Sequence, residues 1–167
     1  MISIEKLTKT EDIGALISVV KKYFKTTEKP HYLDAEFKIA EKNLFDFKEL
    51  NEAVLAKLIT TKTAQGFILK DNNTVVGGAI IEVRSGRILF MVSLSNDKNE
   101  YKLLTDKMVE AVSENGATNS LKILAFIGQS DILDLVGYQY LSKEIYYNYG
   151  VKVRALVYSF SQLNYEL

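Results

Sequence analysis

The spacing of apolar residues along the chain changes period several times, and each change predicts an element. Ile2 and Ile4 alternate with polar neighbours, which predicts a short opening strand. Thr8-x-x-Glu11 has the form of a capping box, and Ile13, Leu16, Ile17, Val20 and Phe24 then recur at the three-and-four spacing of one helical face. Lys21, Lys22 and Lys25 fall at that helix's C-terminal end, where the helix dipole favours cations. The segment Thr26 to Tyr32 breaks the pattern. Asp34 can cap a second helix with Phe37, Ala40 and Leu44 inward, and Phe47, Leu50, Val54, Leu55 and Leu58 predict a third helix ending near Thr60.

From Gly66 the period becomes that of strands. Phe67 to Lys70, Thr74 to Arg84 and Arg87 to Leu94 are separated by turn residues at Asp71-Asn72-Asn73 and Ser85-Gly86, which predicts an antiparallel meander. The last two of these strands are apolar on both faces, so helices must cover both sides of the sheet. A further helix is expected from Asn99 to Glu114, with Tyr101, Leu104, Met108 and Val112 as its buried stripe and Asn115-Gly116 as its stop. A strand Leu121 to Ile127, a short helix Asp131 to Val136 ended by Gly137, and a hairpin of Leu141 to Asn148 with Lys152 to Phe160 complete the chain. The expected fold is α/β (α+β), a mixed, mostly antiparallel twisted sheet of about seven strands with helices on both faces.

Composition narrows the function classes. The chain has 167 residues, 47% hydrophobic, and 21 basic residues balance 21 acidic ones. A chain of this length buries enough surface to fold without a metal or a disulfide, and there is no cysteine. The single proline, Pro30, and the absence of a low-complexity run point to one domain over residues 1–167. Zero net charge argues against a protein whose main task is binding nucleic acid or an anionic membrane. The N-terminus lacks the pattern of a signal peptide and no apolar run is long enough to span a bilayer, so a cytoplasmic protein is expected. Without cysteine and with His31 as the one histidine, thiol nucleophiles and zinc fingers are excluded, and no metal is expected.

The element order resembles that of the Gcn5-related N-acetyltransferase (GNAT) superfamily over nearly the whole chain. Thr74-Val75-Val76-Gly77-Gly78-Ala79 looks like the family's "VGGA" strand, and Leu135-Val136-Gly137-Tyr138 like the "LGF" ending of a helix. Tyr146 to Gly150 followed by Leu156 to Phe160 is similar to its closing hairpin. The resemblance implies an N-acetyltransferase domain that moves an acetyl group from acetyl-CoA to a primary amine on a small molecule or peptide. It further implies that the pantetheine arm lies beside the strand ending at Leu94, where it splays from the next strand, with backbone contacts near Val92 and Leu94. The pyrophosphate would then sit at the N-terminus of the helix containing Lys98, Asn99 and Lys102, where free N–H groups and the dipole attract anions.

Two stretches depart from the family pattern. The pyrophosphate loop usually carries glycines, whereas Ser95-Asn96-Asp97-Lys98-Asn99-Glu100-Tyr101-Lys102 has none. Asp97 and Glu100 are helix starters that compete with an anionic ligand, so a plain capped helix is the rival reading of this loop. The tyrosine that protonates the leaving thiolate in the family is replaced by Leu133. Tyr138, Tyr140 and Tyr147 are nearby phenols; Tyr147 is the candidate acid, although each also suits a packing role.

For a general base, a two-residue Ser85-Gly86 turn would pair Arg84 with Arg87, Glu82 with Leu89, Ile80 with Met91 and Gly78 with Ser93. Glu82 and Ser93 would then share a face, Glu82 acting as base or else pairing with Arg84, Arg87 or Lys122. Gly78 opposite Ser93 would leave a notch that admits a ligand or marks a bulge. His31, in the loop that borders the family's acceptor site, is read as a surface residue. The rival to an enzyme is a GNAT-like domain without cofactor binding, serving as an interaction module and dimeric through its tyrosine-rich last strands.

Overall fold

The computed structural model describes residues 1–26, 52–115, 120–125, 130–148 and 151–161. The expected helix after Asp34 and the loop holding His31 lie outside them, as do Phe47 and Leu50. The strands are β1 (Ile2–Lys6), β2 (Ala64–Asp71), β3 (Thr74–Glu82), β4 (Arg87–Ser93), β5 (Ser120–Ala125), β6 (Gln139–Asn148) and β7 (Val151–Ser161). The helices are α1 (Thr10–Thr26), α2 (Glu52–Thr60), α3 (Lys98–Asn115) and α4 (Ser130–Val136). All seven strands form one sheet in the order β1-β2-β3-β4-β5-β7-β6. Only the β4–β5 pair is parallel; the others are antiparallel. Among the described residues no helix is long and apolar enough to cross a membrane.

The core lies in two layers because the strands present alternate residues to opposite faces. On one face Phe67, Leu69, Ala79, Ile81 and Met91 pack with Tyr101, Leu104, Met108 and Val112 of α3. On the other, Ile68, Ile80, Phe90 and Val92 pack with Leu16 and Val20 of α1 and Leu55 of α2. Of the stripes expected from spacing, Ile13, Leu16, Ile17 and Val20 of α1, Leu55 of α2 and Tyr101, Leu104, Met108 and Val112 of α3 are buried, with Val19 and Tyr23 added to that of α1, while Val54 and Leu58 are half-buried and the Phe24 side chain lies outside the described residues. That helix starts at Thr10, where the Asp12 N–H donates to the Lys9 carbonyl, so Thr8 stands outside the first turn rather than capping it.

The β3–β4 hairpin differs from its expected register. Glu82 pairs with Arg87, and residues 83–86 form the connection, with the Gly86 N–H donating to the Glu82 carbonyl and Gly86 at φ 73°. Val83 is drawn inward, 2% exposed, and its N–H donates to the Thr63 carbonyl, which consumes two residues that a tight hairpin would leave in the strands. A bulge then sets Ile81 opposite Ile88 but Ile80 opposite Phe90. Leu89 and Phe90 consequently turn to the same face, that of α1. Beyond the bulge, Gly78 faces Val92 and Gly77 faces Ser93.

That shift removes two expected site features. Even-numbered Glu82 shares the α1 side with Ile80, whereas Ser93 shares the α3 side with Met91, so Glu82 and Ser93 are on opposite faces. The expected notch at Gly78 is filled, because a Cβ there would lie 2.6 Å from Leu16 Cδ1 and 2.6 Å from the Phe67 carbonyl oxygen.

Candidate functional site

Among the described residues the parallel β4–β5 pairing covers Arg87 with Lys122 and Ile88 with Ile123, supported by the Lys122 N–H on the Gly86 carbonyl. Beyond Ile88 the two strands part. The Leu94 N–H donates to the Val76 carbonyl at 3.0 Å, so the peptide groups of Leu94, and by alternation of Val92, are directed to β3. Val92 and Leu94, the residues expected to hold a ligand with their backbone, thus spend those groups inside the sheet. Ser93, between them, turns its N–H to the parted side.

That N–H meets a hydroxyl from the protein itself. Ser93 N–H donates to the Tyr101 hydroxyl oxygen at 3.2 Å, and the Tyr101 O–H donates to Asn96 Oδ1 at 3.0 Å. Tyr23, from α1 on the opposite face of the sheet, donates to the same Asn96 oxygen at 3.3 Å. Asn96 can serve both because it sits in the left-handed region at φ 56°, which asparagine tolerates, and its N–H closes a turn onto the Ser93 carbonyl. One amide side chain therefore joins the two helical layers at the end of β4.

A second chain of bonds runs beside the first. The Ser93 and Ser95 hydroxyl oxygens are 3.0 Å apart, and the Ser95 O–H donates to the Glu100 carboxylate. Because Ser95 has a single proton and gives it to Glu100, Ser93 must be the donor of the pair. Glu100 is 8% exposed, so its carboxylate is held in place within the first turn of α3.

Asp97 completes the end of the helix. Its Oδ1 accepts the N–H of Asn99 at 2.7 Å and of Glu100 at 3.3 Å, and its own N–H donates to Ser95 Oγ. These are the N–H groups that a helix leaves without internal partners. Lys98 and Lys102, the cations expected at this end, are exposed. Asn99 contributes its N–H to Asp97. The stretch is the capped helix start that the Asp97-x-x-Glu100 spacing allows.

Of the expected catalytic pair, only the side chain of Glu82 lies among the described residues. Arg87 Nη1 donates to Glu82 Oε1 at 3.1 Å at the hairpin end, with both side chains partly exposed, so the carboxylate of Glu82 is engaged as a surface ion pair. Tyr147 belongs to β6 opposite Lys152, and its side chain lies outside the described residues. Tyr138 is buried, packs its ring on Phe160, and shares a 2.8 Å hydroxyl contact with Thr105 beneath α3. Burial pushes its pKa well above the ordinary tyrosine value, with Asp106 adding to the rise and the Thr105 bond opposing it. Leu133 is fully buried in the same layer.

Spacing did not single out Asn96 or Tyr23, and it placed Ser93 only as the expected partner of Gly78. Tyr101 was legible only as part of an apolar stripe. Asn96, the sequence neighbour of a capping Asp, was the available hint of a left-handed residue.

No protein-family model matches the chain, and no curated protein matches it. Solved structures do. A GCN5-related N-acetyltransferase from Rhodopseudomonas palustris superimposes with a TM-score of 0.69 at 13% identity, over 95% of this chain and 94% of that one. An N-acetyltransferase from Staphylococcus aureus Mu50 gives 0.64 at 15% identity, over 98% and 99%. The PaiA N-acetyltransferase of Thermoplasma acidophilum, solved in complex with coenzyme A, gives 0.65 at 14% identity, over 96% and 99%. The chain has the fold of the GCN5-related N-acetyltransferases.

Proposed function

We propose that the protein is an acyl-CoA-dependent N-acetyltransferase, moving an acetyl group from acetyl-CoA to a primary amine of a small molecule or peptide. The observation that carries this reading is the parting of β4 from β5 after the Arg87–Lys122 and Ile88–Ile123 pairs, in a chain whose fold superimposes over 95% of its length on an N-acetyltransferase structure. A gap between parallel strands offers an extended, amide-bearing arm a place to lie along a strand edge, as an added strand would. The bound thioester supplies an acyl carbon on which the amine nitrogen forms a bond as the carbon–sulfur bond breaks, the amine losing one proton and the thiolate gaining one.

The two ends of such a donor fit unequally. The parted strands suit the arm, whose approach to Ser93 N–H requires the Tyr101 hydroxyl to give up that bond. The start of α3 does not suit a diphosphate as it stands, because Asp97 holds the Asn99 and Glu100 N–H groups. Glu82 is left out of the reading, since its partner is Arg87.

Calorimetric titration with acetyl-CoA tests the reading, followed by release of free thiol in the presence of a panel of primary amines. Saturable binding and amine-dependent thiol release are expected. An absence of heat at millimolar acetyl-CoA contradicts it and leaves a GNAT-like fold used for interaction alone.

A further inference from the structure

The arrangement at the start of α3 bears on which thioester the site takes, an inference that rests on the acyl-transfer reading above. We propose that the donor is recognised through its pantetheine arm and not through its diphosphate, with Asp97 as the residue that selects against the diphosphate.

Two independent features support this. First, the Asp97 carboxylate already accepts the Asn99 and Glu100 N–H groups, at 2.7 and 3.3 Å, and so supplies the negative charge that the helix end attracts. Second, Glu100 adds a carboxylate that cannot swing clear, because it is buried and hydrogen-bonded by Ser95, itself tied to Ser93 and to the Asp97 N–H. An incoming diphosphate would meet the buried carboxylate of Glu100 and the exposed, helix-capping carboxylate of Asp97. The cations on the same turn, Lys98 and Lys102, are exposed, and the attraction of exposed charges is weakened by solvent and salt. No residue from Ser95 to Lys102 is a glycine, so every N–H in the turn is approached past a side chain. At the arm end, the described groups of β4 and α3 that meet are the Ser93 amide and the Tyr101 hydroxyl, both uncharged.

The test compares acetyl-CoA with acetyl-pantetheine, which has the same thioester and arm but no phosphate, by calorimetry at one ionic strength. Wild type and Asp97→Asn are both titrated; asparagine caps helices as well as aspartate does, so the helix start is kept. The wild type should bind the two thioesters within about threefold of each other, and Asp97→Asn should bind acetyl-CoA about two- to fivefold more tightly, the worth of one exposed charge at a helix end. Its affinity for acetyl-pantetheine should stay unchanged. Glu100→Gln is the second variant and should shift acetyl-CoA in the same direction. Wild type preferring acetyl-CoA by about 30-fold or more, with neither variant tightening it, overturns the proposal while leaving acyl transfer standing. Failure of both thioesters to bind to all three proteins overturns the acyl-transfer reading and this proposal together.

Discussion

The Tyr101 hydroxyl lies 3.2 Å from the Ser93 backbone nitrogen and, with its proton given to Asn96, can only accept there. A phenol carried by α3 thus completes the hydrogen bonding of a buried β4 amide at the point where β4 has left β5. Tyr101→Phe removes the acceptor and leaves a buried N–H without it. The expected loss of stability is about 1–3 kcal/mol, seen as a lowered urea midpoint at unchanged slope. A loss under about 0.5 kcal/mol would mean that the bond carries no weight.

Packing at Gly78 gives a second prediction. Leu16 is fully buried and its Cδ1 would lie 2.6 Å from an added Cβ, while the Phe67 carbonyl on the other side belongs to the sheet backbone and cannot yield. Gly78→Ala should cost about 1–3 kcal/mol by overpacking. Retained stability would show that α1 can lift from β3 at this point.

The registers of the two hairpin strands show what the sequence made legible and what it did not. Tyr101, Leu104, Met108 and Val112 were readable as a buried stripe because helical period depends only on near neighbours along the chain. The order of elements along the chain was readable from the changes of period, and the buried run of β3 and β4 from its composition. The β3–β4 register was not, because it turns on Val83 being drawn into the core and onto the Thr63 carbonyl, a contact between segments 20 residues apart. The expected turn put Glu82 and Ser93 on one face, whereas the observed register puts them on opposite faces. The Tyr23–Asn96 bond spans 73 residues and joins opposite faces of the sheet, so no local pattern announces it. The capping role of Asp97 was legible, since capping acts within one turn.

Glu82 and Arg87 form an ion pair at the hairpin end with side chains 30% and 45% exposed. Pairs this open are worth little, because solvent screens them and holding two long side chains costs entropy. Glu82→Gln should change unfolding stability by less than about 1 kcal/mol. A loss several times larger would place Glu82 in a network that the geometry does not contain.

Tyr138 predicts a response to alkali. Its phenol is buried and its pKa is raised by that burial, whereas in the unfolded chain it titrates at the ordinary value of 10.0. Below pH 10 both states hold the proton and stability is unaffected by this group. Above it the unfolded chain releases the proton while the folded chain keeps it, so stability falls as pH rises toward the folded value. Denaturant midpoints between pH 8 and 11 should fall more steeply for wild type than for Tyr138→Phe, which lacks the titrating group. Parallel curves would show that the Tyr138 hydroxyl reaches solvent.

The central claim is that a thioester donor lies between the parted ends of β4 and β5. Titrating ¹⁵N-labelled protein with acetyl-CoA while following backbone amide resonances tests it most directly. The Ser93 amide should move the furthest among those of β4 as the Tyr101 hydroxyl is displaced, with Asn96 shifting beside it and the β1–β2 edge of the sheet unmoved. Saturating shifts that leave Ser93 and Asn96 in place, or no shifts at millimolar acetyl-CoA, would contradict the account.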